Sequence, residues 1–407
     1  MKSRLICLSL LLTSIIYLPG MTGSFAFDDY VNIVQNPYLT TEISDVETLN
    51  RAVWSGQAGP LKRPVAMLSF ALNAATTGHW PMAYKVTNLA IHLLNGVLAF
   101  FCALLLLKAH LNQREDSKQL VFISAAVATI WLVHPVNLTS VLYVVQRMTS
   151  LAALFSFAAV IAYCLGRFAL IDKRYGIAAI YLSIGVPIVI AFGAFSKENA
   201  LLVLPALGAI EYFLFRFRGI DNINERALRL GFQLLCLAAV AAIAWYFLMY
   251  RPDYMENAYR SRTFNLVERL LTEGRVLWFY LSLILLPQLS NFALYHDYFA
   301  LSTGLLDPVT TVFSWVGILI VCITAVVGAR RYPMFGFCVA WFVIGHSMES
   351  SIFPLELVHE HRNYFPSFGI FFGFTYLVSV IVRKAENQRA SFVAASVVIF
   401  ILDRKST

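Results

Sequence analysis

A hydrocarbon core about 30 Å thick takes about 20 consecutive apolar residues of helix to cross, and runs of that size recur along almost the whole of this 407-residue chain. They fall at 5–25, 84–107, 120–134, 141–166, 175–195, 199–215, 230–250, 274–290, 309–329, 334–353 and 366–382. A further apolar piece at 391–402 is short for a span and reads as a twelfth one cut by the end of the chain. Only 13% of the residues are charged and 59% are hydrophobic, against about 25% charged in soluble domains. A water-soluble enzyme, a disordered segment, a coiled coil and a disulfide scaffold are therefore set aside. The expected fold is an all-α membrane protein, a polytopic bundle of about 11 to 12 transmembrane helices.

Lys and Arg outnumber Asp and Glu by 31 to 23, and their placement sets the expected orientation. They collect at Lys108, Arg114 and Lys118, at Arg167, Lys173 and Arg174, and at Arg216, Arg218, Arg226 and Arg229, then at Arg330 and Arg331 and at Arg383, Lys384 and Arg389. Such connections face the cytoplasm. No basic tract is interleaved with aromatic residues, so no nucleic-acid partner is expected. The alternate connections, 26–83, 134–140, 196–198 and 354–365, then lie outside and hold the most unusual polar residues. Between 229 and 330 strict alternation leaves one span too many. The segment 274–303, interrupted by Pro287, Asn291 and Tyr295-His296-Asp297-Tyr298, is the one expected to be re-entrant or interfacial.

The chain divides into a first transmembrane helix acting as a signal anchor (1–25), a large first extracytoplasmic loop (26–83), a transmembrane catalytic bundle (84–382), and a cytoplasmic connection with the short last apolar segment (383–407). The opening run also fits a cleaved signal peptide, but Ser24-Phe25-Ala26-Phe27 is a poor small-residue cleavage site and favours retention. Within the loop, 44–54 and 64–76 read as short amphipathic helices along the membrane surface. The six cysteines lie in apolar runs without a CxxC pair, which points to packing rather than to disulfides or zinc.

Four constellations carry chemistry. Asp28 and Asp29 follow the first apolar run; at a low-dielectric boundary such a doublet suits proton abstraction or cation binding, and it equally suits capping an interfacial helix. His134 starts a turn that leads to Arg147 inside the next apolar run. An intramembrane guanidinium is costly and is kept for an anionic ligand or for a partner in the bundle. Lys197 and Glu198 stand between two uncharged runs. Adjacent residues do not face each other on a helix, so the two take different partners: Lys197 a phosphate, Glu198 a cation or the orientation of its neighbour. Finally His359-Glu360-His361-Arg362-Asn363-Tyr364 precedes the span at 366–382. The histidines lack the spacing of helical metal ligands, and Arg362 reads as a phosphate fork posed by Glu360 or His361. Each also has a plain structural reading: a cap or a solvated span end for the doublet, a pairing of Arg147 with a carboxylate in the bundle, and a solvated loop for the last two. All four map to the outer connections.

The order of motifs resembles a known family. Phe27-Asp28-Asp29-Tyr30, Asn36-Pro37, Arg63-Pro64-Val65, Leu68 to Asn73, then Gly78, Pro81, Tyr84, Asn88 and His92, followed by His134-Pro135-Val136, Lys197-Glu198 and Glu360-His361-Arg362 with Tyr364, Pro366 and Ser367, are similar to the GT-C glycosyltransferases related to the transmembrane and tetratricopeptide-repeat protein O-mannosyltransferases. The likeness runs from about residue 25 to 380. Two departures stand out: Asn137, Thr139 and Ser140 occupy positions where the family often has an acidic residue, and no tetratricopeptide array lies within these residues.

The resemblance implies a GT-C-like bundle that transfers a hexose or pentose from a polyprenyl-phosphate donor to Ser or Thr hydroxyls of exported proteins, pilins among them, on the extracytoplasmic face of a bacterial inner membrane. It implies that the catalytic carboxylate is Asp28 or Asp29. Arg147, Lys197 and Arg362 would then meet the donor phosphate, with His134, Glu198, Glu360, His361 and Tyr364 in support. A divalent metal is left open, and the expected partners are the lipid-linked sugar, the acceptor protein and membrane lipids. Two rivals remain: the same chemistry on a glycan or lipid acceptor, and a transporter or flippase for a lipid-linked solute, which inverted repeats would favour. No repeat is visible.

Overall fold

A computed structural model describes residues 2–40, 45–113, 117–218 and 262–384, with isolated positions between 230 and 260. Among the described residues all regular structure is helical, and seven helices are long and apolar enough to cross a membrane, or eight if one bent pair is a single span. The chain is an all-α polytopic membrane protein. The spans expected at 230–250 and 391–402 lie wholly or almost wholly outside the described residues.

In chain order the main helices are α1 (Lys2–Tyr17), α2 (Val46–Val53), α3 (Pro64–Thr77), α4 (Pro81–Leu111), α5 (Lys118–Val133), α6 (Arg147–Ile171), α7 (Tyr175–Ala194), α8 (Glu198–Phe215), α9 (Leu266–Leu285), α10 (Thr310–Val327), α11 (Pro333–His346) and α12 (Pro366–Lys384). Their starts follow local rules. Pro opens α3, α4, α11 and α12, where its missing N–H costs nothing. Capping boxes at Asp45 with Thr48 and at Asn265 with Glu268 open α2 and α9, each satisfying two otherwise orphaned groups. The core is built around the interlocked rings of Trp131, Phe157, Trp341, Tyr364 and Phe368.

The expected spans 120–134 and 141–166 meet in an elbow longer than a simple turn. After α5 the chain makes a 3-10 turn (Pro135–Asn137), one helical turn (Leu138–Leu142) and a second 3-10 turn (Val144–Gln146) before α6 begins. Pro135–Leu142 is bent by 56° from α5. Broken backbone at membrane depth must find partners inside the protein, and α4 supplies several of them. Asn88, Asn95 and His92 lie on one face of α4, all fully buried. Asn88 donates to the carbonyls of Val141 (3.0 Å) and Val144 (3.2 Å), and Asn95 donates to Ser150 O at 2.9 Å. Asn137, part of an Asn-Leu-Thr tripeptide, is fully buried and donates to Trp131 O at 2.7 Å.

Two further boundaries differ from the expected spans. The run at 334–353 is helical only as α11, which stops at His346, and turns follow to residue 352, because Glu349 turns inward to an ion pair described below. The interruption expected within 274–303 falls after an unbroken α9, in irregular chain from 286 to 309 with one 3-10 turn at Leu289–Asn291; Pro287 carries no amide N–H to continue the helix.

The bundle has two chemically distinct ends. At one, Arg167 forms a two-pronged pair with Glu211 (2.6 and 2.8 Å) and donates to Arg218 O, Arg218 reaches Ala109 O, and Arg216 reaches Arg330 O. The described basic connections gather there. The other end holds the turn with Asp28 and Asp29, the irregular 286–309 segment and residues 347–365.

Candidate functional site

The acidic doublet is split by its surroundings. A turn after α1 directs Asp29 inward, where it is 1% exposed; one carboxylate oxygen accepts from Val145 N at 2.7 Å and the other from Ala26 N at 3.0 Å. Burial raises this carboxyl to about 6, against the lowering pull of those amides. Asp28 is exposed. Its backbone N–H donates to the Tyr143 hydroxyl at 2.9 Å, and its carboxylate makes no hydrogen bond or ion pair among the described residues.

Beside it, Phe27 packs edge-on against Tyr295 with ring centroids 4.6 Å apart. Tyr295 lies 5.9 Å from the ring of His359, and His359 stacks on His361 at 5.0 Å. Burial, and then the charge of Asp28, pushes the Tyr295 phenol up. Tyr295 and His359 line a cleft of about 630 Å³ together with Arg262, Glu356 and residues 296–301. The doublet and the His-Glu-His-Arg segment thus meet at one end of the bundle.

Behind the histidines stands a cationic wall. Lys197 Nζ donates to Glu349 at 2.8 Å and to Thr149 Oγ1 at 3.2 Å. Burial raises the Glu349 carboxyl, but Lys197 and Arg362 outweigh that and hold it at about 2. Burial, helped by Arg63 and Arg362, lowers the Lys197 ammonium while Glu349 opposes the shift. Arg362 donates to the carbonyls of Leu357 (2.9 Å) and Glu356 (2.6 Å) and so shapes one side of the cleft. Burial first and Arg362 second bring His359 down to about 3. Burial and Lys197 lower His361 further. Both imidazoles are therefore neutral at ordinary pH, and neither makes a side-chain hydrogen bond among the described residues. They remain able to donate to an incoming ligand through one nitrogen and accept through the other.

The remaining expected residues lie around this centre. Glu198 accepts from Arg63 Nε at 3.0 Å and from Leu61 N at 3.3 Å, so it and Lys197 have different partners. Glu360 accepts from Ala293 N at 2.7 Å and lies 3.4 Å from His296, which fastens the 286–309 segment over the cleft. His134 accepts from Val136 N at 3.2 Å and caps the elbow. Tyr364 is fully buried, its hydroxyl 2.7 Å from His92 and 3.1 Å from Asn95. Arg147 is fully buried; it donates to Asn88 Oδ1 (2.6 Å), Ser69 O (2.9 Å) and Tyr84 O (2.9 Å) and sits over the Phe70 ring at 4.6 Å. All three guanidinium nitrogens are engaged, so Arg147 braces α3 and α4 against the elbow.

Sequence reasoning did not single out Glu349 or Tyr143, named Arg63 only within the Arg63-Pro64-Val65 motif of the resemblance without giving it a role, and took Tyr295 only as part of a polar interruption. Glu349 had a usable signal, since a carboxylate near the end of an apolar run needs a cation. Among the described residues no group of three or more His, Cys, Asp or Glu is placed to hold a metal ion.

Against known proteins, the chain is 24% identical over 220 residues to a protein O-mannosyl-transferase of Caenorhabditis elegans. The aligned part is 53% of this chain and 29% of that relative, so the chain matches less than a third of the relative's length. No protein-family profile matches, and no solved structure matches.

Proposed function

We propose that the chain is a membrane glycosyltransferase of the GT-C type that moves a sugar from a polyprenyl-phosphate donor to a Ser or Thr hydroxyl of an exported protein on the extracytoplasmic face. The observation that carries the reading is that Asp28, whose carboxylate has no bonded partner among the described residues, stands beside a cleft lined by the neutral His359, with His361 stacked behind it and Arg362 holding the lining carbonyls of Leu357 and Glu356. The likeness to a protein O-mannosyl-transferase supports glycosyl transfer to protein. The gathering of the basic connections at the opposite end supports the orientation through the positive-inside rule.

In this mechanism the acceptor hydroxyl attacks the anomeric carbon as its proton passes to Asp28. The bond from that carbon to the phosphate oxygen breaks, and the electron pair leaves with the polyprenyl phosphate, inverting the centre. Lys197 and the histidine N–H groups stabilise charge growing on the leaving phosphate. Asp29 holds the turn, and Arg147 holds the scaffold. The test is transfer in lipid nanodiscs, using purified protein, polyprenyl-phosphate sugars and Ser/Thr peptides read by intact mass. A mass gain of one hexose or pentose is expected. No gain with any donor, with peptide, glycan and lipid acceptors alike, refutes the reading.

A further inference from the structure

The 26–83 connection carries a second cleft, of about 680 Å³, with Tyr38, Arg51, Trp54, Gln57, Gly59 and Lys62 among its walls. That volume lies within the range of ligand sites, about 300 to 1,000 Å³. Tyr38 and Trp54 are 47% and 48% exposed, so two large aromatic residues reach solvent. Among the described lining residues none is acidic. Arg51 is bridged to Glu47, whereas Lys62 is exposed and makes no ion pair among the described residues.

The floor of the cleft is tightly specified. Gly59 has φ +77°, and a Cβ there would lie 2.1 Å from Glu198 Oε1; one on Gly56 would lie 1.9 Å from Lys62 O. Lys62 and Arg63 both adopt left-handed backbone, φ +57° and +51°, a conformation that ordinary side chains disfavour and that persists where surroundings impose it. Glu198 imposes it here, gripping Leu61 N and the Arg63 guanidinium. Glu198 directly follows Lys197, so the cleft is anchored to the cationic wall of the candidate site.

We infer that this cleft seats the acceptor as an extended, acidic polypeptide segment. The inference rests on the glycosyltransferase reading above and names what that site accepts. Exposed Trp and Tyr side chains give contact area at low entropic cost, Gln57 offers an amide for main-chain pairing, and Lys62, with Glu198 held by Arg63 and no acidic residue among the described lining residues, favours negative charge. A neutral glycan would use the rings but gain nothing from Lys62.

The experiment uses the full chain in zwitterionic-lipid nanodiscs and two fluorescein-labelled Ser/Thr peptides that differ only in three Glu against three Lys. Anisotropy should show the acidic peptide binding about tenfold tighter at low salt, with the gap closing as salt rises. Lys62→Glu should erase the preference and raise the acceptor KM about tenfold with donor KM and kcat unchanged. Trp54→Ala should weaken both peptides. Lys62→Ala, which adds no charge, is the folding control and should reduce the preference in part. Equal affinity for the two peptides, a preference that survives Lys62→Glu, or displacement of the peptide by a neutral oligosaccharide overturns the inference. If acidic peptide binds as expected while no donor is consumed with any acceptor, the transferase reading fails and the cleft assignment stands.

Discussion

Replacing the two neighbouring aspartates one at a time should produce opposite phenotypes. Asp28→Asn removes a carboxylate with no bonded partner among the described residues and should leave folding unchanged. A positioned general base contributes about 10²–10⁴-fold, so kcat should fall by that amount. Asp29→Asn keeps the shape but leaves one oxygen where two backbone amides, the buried Val145 N–H and the part-buried Ala26 N–H, each need an acceptor. One of those amides then faces an NH2 group, a penalty of about 1 to 3 kcal/mol. Stability would drop while kcat of the folded fraction changes little. Asp29 also leaves a mark in pH. Its folded value is raised from 3.8 to about 6, so between those values the folded state holds more protons than the unfolded one. Wild-type stability therefore loses this contribution as pH rises through that window, a slope that Asp29→Asn should lack. Thermal unfolding monitored by detergent-compatible fluorescence, run beside single-turnover transfer, separates the two residues. Full activity in Asp28→Asn, or unaltered stability together with lost transfer in Asp29→Asn, refutes the division of roles.

Glu349→Gln leaves the buried Lys197 without its counter-charge, and loss of one partner of a buried pair costs about 3 to 5 kcal/mol; chemical denaturation should show it, and the paired variant Lys197→Met with Glu349→Leu should recover much of the loss. Arg147→Met strands Ser69 O, Tyr84 O and Asn88 Oδ1, each at about 1 to 3 kcal/mol, so the variant should be recovered poorly from detergent extracts. Normal yield with a raised donor KM would instead make Arg147 a donor-binding residue. Gly59→Ala drives a methyl into Glu198 and should free Arg63 and the 55–63 loop, seen as faster proteolysis there.

The spans were readable because hydropathy alone decides whether a helix crosses a bilayer, and α4, α7, α8 and α10 fall where the apolar runs lie. The elbow at 134–146 was not readable, since it depends on Asn88 and Asn95 in another helix supplying bonds to its carbonyls. The same limit applies to the site. The doublet announces itself in the sequence, yet what separates Asp28 from Asp29 is the amide of Val145, 116 residues away. An arginine within an apolar run signals a needed partner, but the carbonyls of Ser69 and Tyr84 that satisfy Arg147 carry no sequence signature. The Lys197–Glu349 pair spans 152 positions and was hidden because Glu349 lay inside an expected span.

The Asp29–Val145 bond also acts as a calliper. Val145, in the 3-10 turn that leads into α6, fastens the turn bearing Asp28, and Thr149, in the first turn of α6, receives a bond from the Lys197 ammonium; only four residues of helical backbone separate them, a rise of about 6 to 8 Å. The gap between the turn that carries Asp28 and the Lys197 ammonium is thereby gauged by main-chain geometry.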